Sequence, residues 1–261
     1  MTDPFGVPRN AFQPATSFAS LLRSVGAGPS WDIPAGAHIA ATEATTVLAL
    51  RYGGGVVMVG DRQATEGYSV AHRRIEKVFP ADSYSAVAIS GTAGVAIEMV
   101  KLLQTELEHY EKIEGTRLSL DGKANLLATM VRNQLPAAMQ GLVVIPIFCG
   151  YHEQAAEGRL YSYDVVGGRY EEIDFVATGS GGREARSHLR AFYRDDFDRT
   201  EAVAAGLGAL IAAAEEDTAT AGPDVRRGIY PTVVVIDAAG FTEVGEEEVA
   251  QVSRQALEQA R

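Results

Sequence analysis

From residue 45 onward, short apolar runs give way twice to longer stretches with apolar residues three and four apart. TTVLALRY (45–52) and GVVMVGD (55–61) have strand length and almost no polar positions. Gly53, Gly54 and Gly55 join them, which predicts a tight hairpin. YSVAHRRIEKVFP (68–80) and YSAVAISG (84–91) read as two further strands. The period then changes. Across 95–113, Val95, Met99, Leu102, Leu103 and Tyr110 fall near one face of a helix, with Ser90 or Thr92 placed to cap it. A second helix is expected across 120–139, ended or kinked by Pro136.

LVVIPIFCGY, RLYSYDVVGGRYEE and DFVATGSG return to strand texture, and two more helices are predicted near 183–193 and 200–216. GIYPTVVVIDAAG reads as a strand and turn, and the acidic stretch from Glu246 as a helix. The blocks run strands, two helices, strands, two helices, strand. That order lacks strict βαβ alternation, so a doubly wound parallel sheet is disfavoured. Two packed sheets with helices outside suit it better.

The first 44 residues differ. They hold five of the ten prolines, among scattered Gly, Ser and Ala, and read as loosely ordered or cleavable. SFASLLRSVG (17–26) is the one amphipathic helical patch expected there. No basic, then apolar, leader of the secretory kind opens the chain. No apolar run reaches the ~20 residues that cross a bilayer. A formal charge of −11 argues against nucleic acid or an anionic membrane as partner. The single cysteine, Cys149, cannot form an internal disulfide and lies in an apolar run, which fits core filler in a reducing, cytoplasmic setting. The five histidines show no paired metal spacing, and neither a metal nor another cofactor is expected.

The junction at Thr45 raises a chemical possibility. A threonine at a new N-terminus carries a hydroxyl nucleophile and, in its own α-amine, a base. With a reference pKa of about 7.7–8.0, roughly a tenth of such amines are neutral at pH 7. A lysine at about 10.4 is neutral in about one molecule in a few thousand, so the amine is the better base unless burial depresses the lysine. A charged lysine nearby favours ionisation of the hydroxyl, and an aspartate holds that lysine in place. Asp61, ending VGDR, and Lys77, in RRIEKVF, are candidates for this pair, although spacing alone leaves each equally readable as a turn residue and a solvated lysine.

TTVLALRYGGGVVMVGDRQATEG, RRIEKVF, SGTAG, ATGSGG and DTATAGPDVRRGIYPTVVVID, in this order, resemble the motifs of proteasome β subunits. ELEHYEKIEG, AAMQGL and the GPD…RGI…PT stretch resemble the actinobacterial branch. The resemblance covers 45 to about 240. It implies an α+β fold, a four-layer αββα sandwich of two antiparallel sheets flanked by helices, the N-terminal-nucleophile hydrolase fold. It implies a propeptide over 1–44, a catalytic domain over 45–261, and cleavage between Ala44 and Thr45. Position by position, Thr45 matches the nucleophile, Asp61 and Lys77 the supporting pair, and Gly91 the glycine whose N–H faces the oxyanion. Ser180, Asp217 and Thr220 match the group that orients the threonine amine; serine often stands where Thr220 does. Thr65 matches the residue whose backbone pairs with an extended substrate. Ala64, Ile75, Phe79, Ile89, Ala93 and Ile97 match the first specificity pocket; all are apolar, which implies cleavage after apolar residues.

Ala44 departs from the family, where glycine usually precedes the threonine. Glycine reaches positive φ that alanine resists, so maturation is expected but slower than with glycine. The resemblance further implies four stacked seven-membered rings of α and β subunits. It also implies an ATPase ring and unfolded substrates, often tagged with a small ubiquitin-like protein, Pup. Three rivals remain: another N-terminal-nucleophile amidohydrolase, an inactive structural β subunit, and the bacterial two-ring relative, which is shorter and lacks a long propeptide. SGTAG and TGSGG are also glycine-rich enough for phosphate loops, but no Gly-Lys-Ser/Thr follows.

Overall fold

A computed structural model of the chain describes residues 45–66 and 69–259. The amphipathic patch expected at 17–26, the Ala44 side of the expected cleavage site and the rest of the expected propeptide therefore lie outside the described residues. Two five-stranded antiparallel sheets form the centre. The first contains β1 (Thr46–Tyr52), β2 (Gly55–Gly60), β10 (Phe175–Gly179), β11 (Thr232–Asp237) and β12 (Gly240–Glu243), in the order β10-β1-β2-β11-β12. The second contains β5 (Val78–Asp82), β6 (Ser85–Gly91), β7 (Val144–His152), β8 (Glu157–Tyr163) and β9 (Arg169–Glu172), paired consecutively. A separate small hairpin pairs β3 (Ala64–Glu66) with β4 (Ser69–His72).

Both faces of each sheet are covered, which is why the strands read as continuous apolar runs. On β1, Val47 and Ala49 point into the core between the sheets, with Met58, Ala88, Ile147 and Leu160. Leu48 and Leu50 point the other way, against α4 (Gly182–Phe192) and α5 (Arg199–Glu216), whose Leu189, Leu207 and Leu210 they meet. Val87, Phe148 and Tyr161 of the second sheet pack on α1 (Ala93–Glu114) and α2 (Leu120–Asn133). The layers are therefore αββα, as the resemblance implies. The short α3 (Leu135–Ala138) restarts after α2 with Pro136 in its first turn, the break expected there. The acidic helix α6 (Glu246–Gln259) follows β12.

Four local readings need correction. Residues 69–80 do not form one strand: the charged stretch Arg73–Lys77 bends away between β4 and β5. The buried face of α1 is Ala96, Met99, Val100, Leu103 and Leu107, while Leu102 and Tyr110 are exposed. Leu102 and Leu103 sit ~100° apart round the helix, so both cannot face one sheet. Neither expected residue caps α1 with its side chain; Thr92 occupies the position without such a bond, and the Ser90 hydroxyl donates to the Ile145 carbonyl instead. The turn after Asp237 leads into β12, a strand too short to show a period in sequence. Cys149 lies in the core between the sheets, where burial pushes its thiol pKa up. Among the described residues, no helix is long and apolar enough to cross a membrane.

Candidate active site

The antiparallel register of the first sheet brings three strand ends together. Thr46 pairs with Gly179 across β1 and β10, and Val47 with Gly60 across β1 and β2. Residues just before β1, just after β2 and just after β10 thus meet at one end: Thr45, Asp61 and Ser180. Thr45 is buried, and its carbonyl accepts the Ser180 N–H at 3.0 Å.

Asp61 is fully buried and organises one half of the site. Its Oδ1 accepts from Lys77 Nζ at 2.6 Å and from the Thr46 N–H at 2.9 Å. Its Oδ2 accepts the N–H groups of Gln63 at 3.0 Å and Ala221 at 3.3 Å. Lys77 is only 4% exposed, and its carbonyl is held by the Ile89 N–H at 3.0 Å. Burial lowers the pKa of its ammonium, against the opposing pull of Asp61 and, less strongly, Asp217. The bend at 73–77 delivers this lysine to the site; as part of a continuous strand it would not turn there.

The other half lies where α5 ends. Thr220 Oγ1 donates to Asp217 Oδ2 at 2.5 Å, and the Ala219 N–H donates to Oδ1 at 3.1 Å. Burial alone would raise the Asp217 pKa, but hydrogen bonds from Ser180, Thr220 and Ala219, with the charge of Lys77, hold it below the usual carboxylate range. Thr220 also meets Thr46, Oγ1 to Oγ1, at 2.6 Å. Gly91 ends β6 at φ +105°, where a Cβ would lie 2.1 Å from the Val143 carbonyl oxygen. Its neighbour Ser90 reaches Thr178 Oγ1 of β10 at 3.4 Å, so this end of the second sheet adjoins the strand next to Thr45.

The sequence model of the proteasome subunit family matches residues 41–225. The chain belongs to the proteasome subunit family. It is 49% identical over 253 residues to the proteasome subunit beta of Acidimicrobium ferrooxidans, covering 96% of this chain and 91% of that one. It is likewise 49% identical to the proteasome subunit beta of Jonesia denitrificans, over 97% of this chain and 85% of the relative. Identity to the proteasome subunit beta of Acidothermus cellulolyticus is 53%, over 82% and 75% of the two chains. Within the proteasome family the chain is thus a β subunit, and its αββα sandwich is the N-terminal-nucleophile hydrolase fold.

In this proteasome subunit the residues matched to the specificity pocket come from β3, β5, β6, α1 and the 73–77 bend. Phe79 and Ile89 share the helix-facing side of the second sheet, and Ile89 is a core member at 5% exposure. Ala93 and Ile97 lie one turn apart on α1, both partly buried, and Ala64 is buried at the head of β3. Ile75 lies on the 73–77 bend, where its N–H donates to the Arg62 carbonyl at 3.1 Å, and it lines a cavity of about 530 Å³ with Arg74 and Ile229. Thr65 pairs with Val70 in β4, and among the described residues β3 is paired on that edge alone.

Four positions that sequence reasoning passed over belong to the site. Thr46 links its two halves. Gly60 leaves room for Val78, the residue after Lys77: a Cβ there would be 2.8 Å from Val78 Cγ2. Gly179, at φ +99°, leaves no space for a Cβ, which would fall 1.7 Å from the Thr45 carbonyl oxygen. Gly181 donates its N–H to Thr46 Oγ1 at 2.9 Å. The only available signal was proximity in sequence to Thr45, Asp61 and Ser180.

Proposed function

We propose that the chain is a threonine-type endopeptidase subunit of the proteasome core, activated when the Thr45 hydroxyl attacks the carbonyl of Ala44 and releases residues 1–44. The observation that carries this reading is the buried Lys77–Asp61 pair at 2.6 Å, whose carboxylate also binds the backbone N–H of the residue after Thr45. An ion pair this deep is costly to desolvate and adds little stability over apolar packing, so its use is better sought in chemistry.

Before cleavage the Thr45 nitrogen is an amide without a basic lone pair. The first attack therefore needs another base: the neutral amine of Lys77, which burial makes easier to reach, takes the hydroxyl proton, and water then hydrolyses the ester formed with Ala44 to free the α-amine. Afterwards the new α-amine takes the hydroxyl proton, and the oxygen attacks the substrate carbonyl. The oxyanion is stabilised at the Gly91 N–H, a donor worth roughly 3–4 kcal/mol. The leaving amine takes the proton, and water then hydrolyses the ester on Thr45. Ser180, Asp217 and Thr220 orient the α-amine. The edge of β3 at Thr65 that no other described strand pairs suits an extended peptide.

The same reading places the subunit in rings of seven. Two β rings lie inside two α rings, an ATPase ring feeds in unfolded, Pup-tagged proteins, and the site opens to a cytoplasmic, closed chamber. The test is N-terminal analysis and peptide hydrolysis on the subunit assembled with its α partner. Wild type is expected to begin at Thr45 and to cleave peptides ending in Tyr or Leu faster than those ending in Arg or Asp. Thr45→Ala is expected to retain residue 44 and lose hydrolysis. Full activity with residue 44 still attached would overturn the reading, and the reverse peptide ranking would remove the pocket assignment.

A further inference from the structure

We propose that Thr46 is a positioning residue whose hydroxyl, by donating to Thr220, holds the Thr220 oxygen in place to accept from the Thr45 amine, an inference that rests on Thr45 being an N-terminal nucleophile. Thr46 opens β1 and is fully buried. Its Oγ1 is 2.6 Å from Thr220 Oγ1 and 2.9 Å from the Gly181 nitrogen. Thr220 Oγ1 is in turn 2.5 Å from Asp217 Oδ2.

These contacts have one consistent proton assignment. A hydroxyl has a single proton, and an ionised carboxylate only accepts. The Thr220 proton therefore goes to Asp217. The bond between the two threonines must then use the Thr46 proton, and the Thr46 oxygen accepts the Gly181 N–H. The chain runs one way, from the Gly181 amide through Thr46 and Thr220 to the carboxylate. Gly181 caps the N-terminus of α4, so the donor end also sits at the positive end of a helix dipole. Bonds aligned in one sense polarise each other.

The direction matters for the base. An amine that takes a proton from the Thr45 hydroxyl must keep its lone pair for that purpose. Thr220, with its proton committed and one lone pair filled by Thr46, can only accept from the amine. It can hold an N–H in place and cannot occupy the nitrogen lone pair. Thr46 also exchanges backbone bonds with Asp61: its N–H donates to Oδ1 at 2.9 Å, and its carbonyl accepts the Asp61 N–H at 3.2 Å. One residue thus ties both halves of the site to the backbone that carries Thr45. The fit is close, since a Cβ on Gly181 would lie 2.8 Å from both hydroxyl oxygens. Space-filling alone would be served equally by valine.

The test compares wild type, Thr46→Val and Thr46→Ser in the particle assembled with its α partner, using a fluorogenic peptide ending in Leu. Thr46→Val is expected to lower kcat about 10-fold or more with KM little changed, while Thr46→Ser stays within about threefold of wild type. In a Thr220→Val background, adding Thr46→Val is expected to cost little more, because the effect passes through Thr220. Unchanged kcat in Thr46→Val, a loss confined to KM, or equal losses in the valine and serine variants would each overturn the proposal. Should Thr46→Val not assemble, Thr46→Cys replaces it; its weak S–H donor predicts an intermediate kcat, and wild-type kcat would count against the hydroxyl. A wild-type particle that leaves residue 44 attached, or hydrolyses no peptide, removes instead the reading of Thr45 beneath the proposal, before any variant is compared.

Discussion

At Gly179 a single hydrogen atom in place of a side chain decides whether β10 can close on the residue before β1. Its φ of +99° already disfavours any L side chain, and the Thr45 carbonyl oxygen occupies the place a Cβ would need. Gly179→Ala is therefore expected to block both cleavage at Thr45 and peptide hydrolysis, read by mass spectrometry and a fluorogenic assay; a processed, active variant would show that the strands can part without consequence. Thr45, Asp61 and Lys77 could be singled out because the ordered motifs around them resemble the family's; spacing alone left Asp61 and Lys77 readable as a turn residue and a solvated lysine, and the structure pairs those two. Thr46 and the three glycines could not be singled out. A buried threonine in a strand and a glycine at a turn are ordinary, and only their contacts distinguish them.

Among the elements, long periodic segments were read well and short ones poorly. α5 is buried along most of its length by Ala202, Val203, Leu207 and Leu210, and it starts with a reciprocal cap. Asp198 accepts the Glu201 N–H at 2.8 Å while the Glu201 carboxylate accepts the Asp198 N–H at 2.9 Å. Asp198→Ala should cost about 1 kcal/mol, and lower Tm by about 2–4 °C. Calorimetry at neutral pH checks this, and activity should persist because the cap lies at the far end of α5 from Asp217. The misreading of 69–80 has a comparable local cause. Val70, Ile75 and Val78 supply enough β-branched residues for a strand, but the exposed Arg73 and Arg74 have no sheet to join, and the backbone turns.

For the whole molecule, a second buried ion pair tests how charge is held away from the site. Lys123 on α2 contacts Asp82 at the end of β5 at 2.5 Å, and Asp82 also accepts from Tyr84 N–H and Ser85 Oγ. Burial would raise the Asp82 pKa, but Lys123 and these hydrogen bonds leave it lowered. A carboxylate whose folded pKa lies below its unfolded value of about 3.9 stabilises the fold above that pH. The contribution is lost as pH falls through the folded value. Lys123→Met leaves a partly buried carboxylate without its cation, a loss of about 1–3 kcal/mol at pH 7. The Tm difference from wild type should narrow as pH falls below about 4, where the paired carboxylate progressively loses its stabilising contribution; a gap independent of pH would mean the pair contributes through packing alone.

The sequence by itself determined the element types, the two-sheet class and the residues chemically able to act. Those depend on local periodicity, on side-chain chemistry and on an ordered set of motifs. Tertiary structure decided which strand ends meet, which lysine turns inward, and that Thr46 meets Thr220, 174 residues away in the chain. The physical reason is register: antiparallel pairing across β10, β1 and β2 brings distant backbone positions within hydrogen-bonding distance, and no local window of sequence specifies which positions those are.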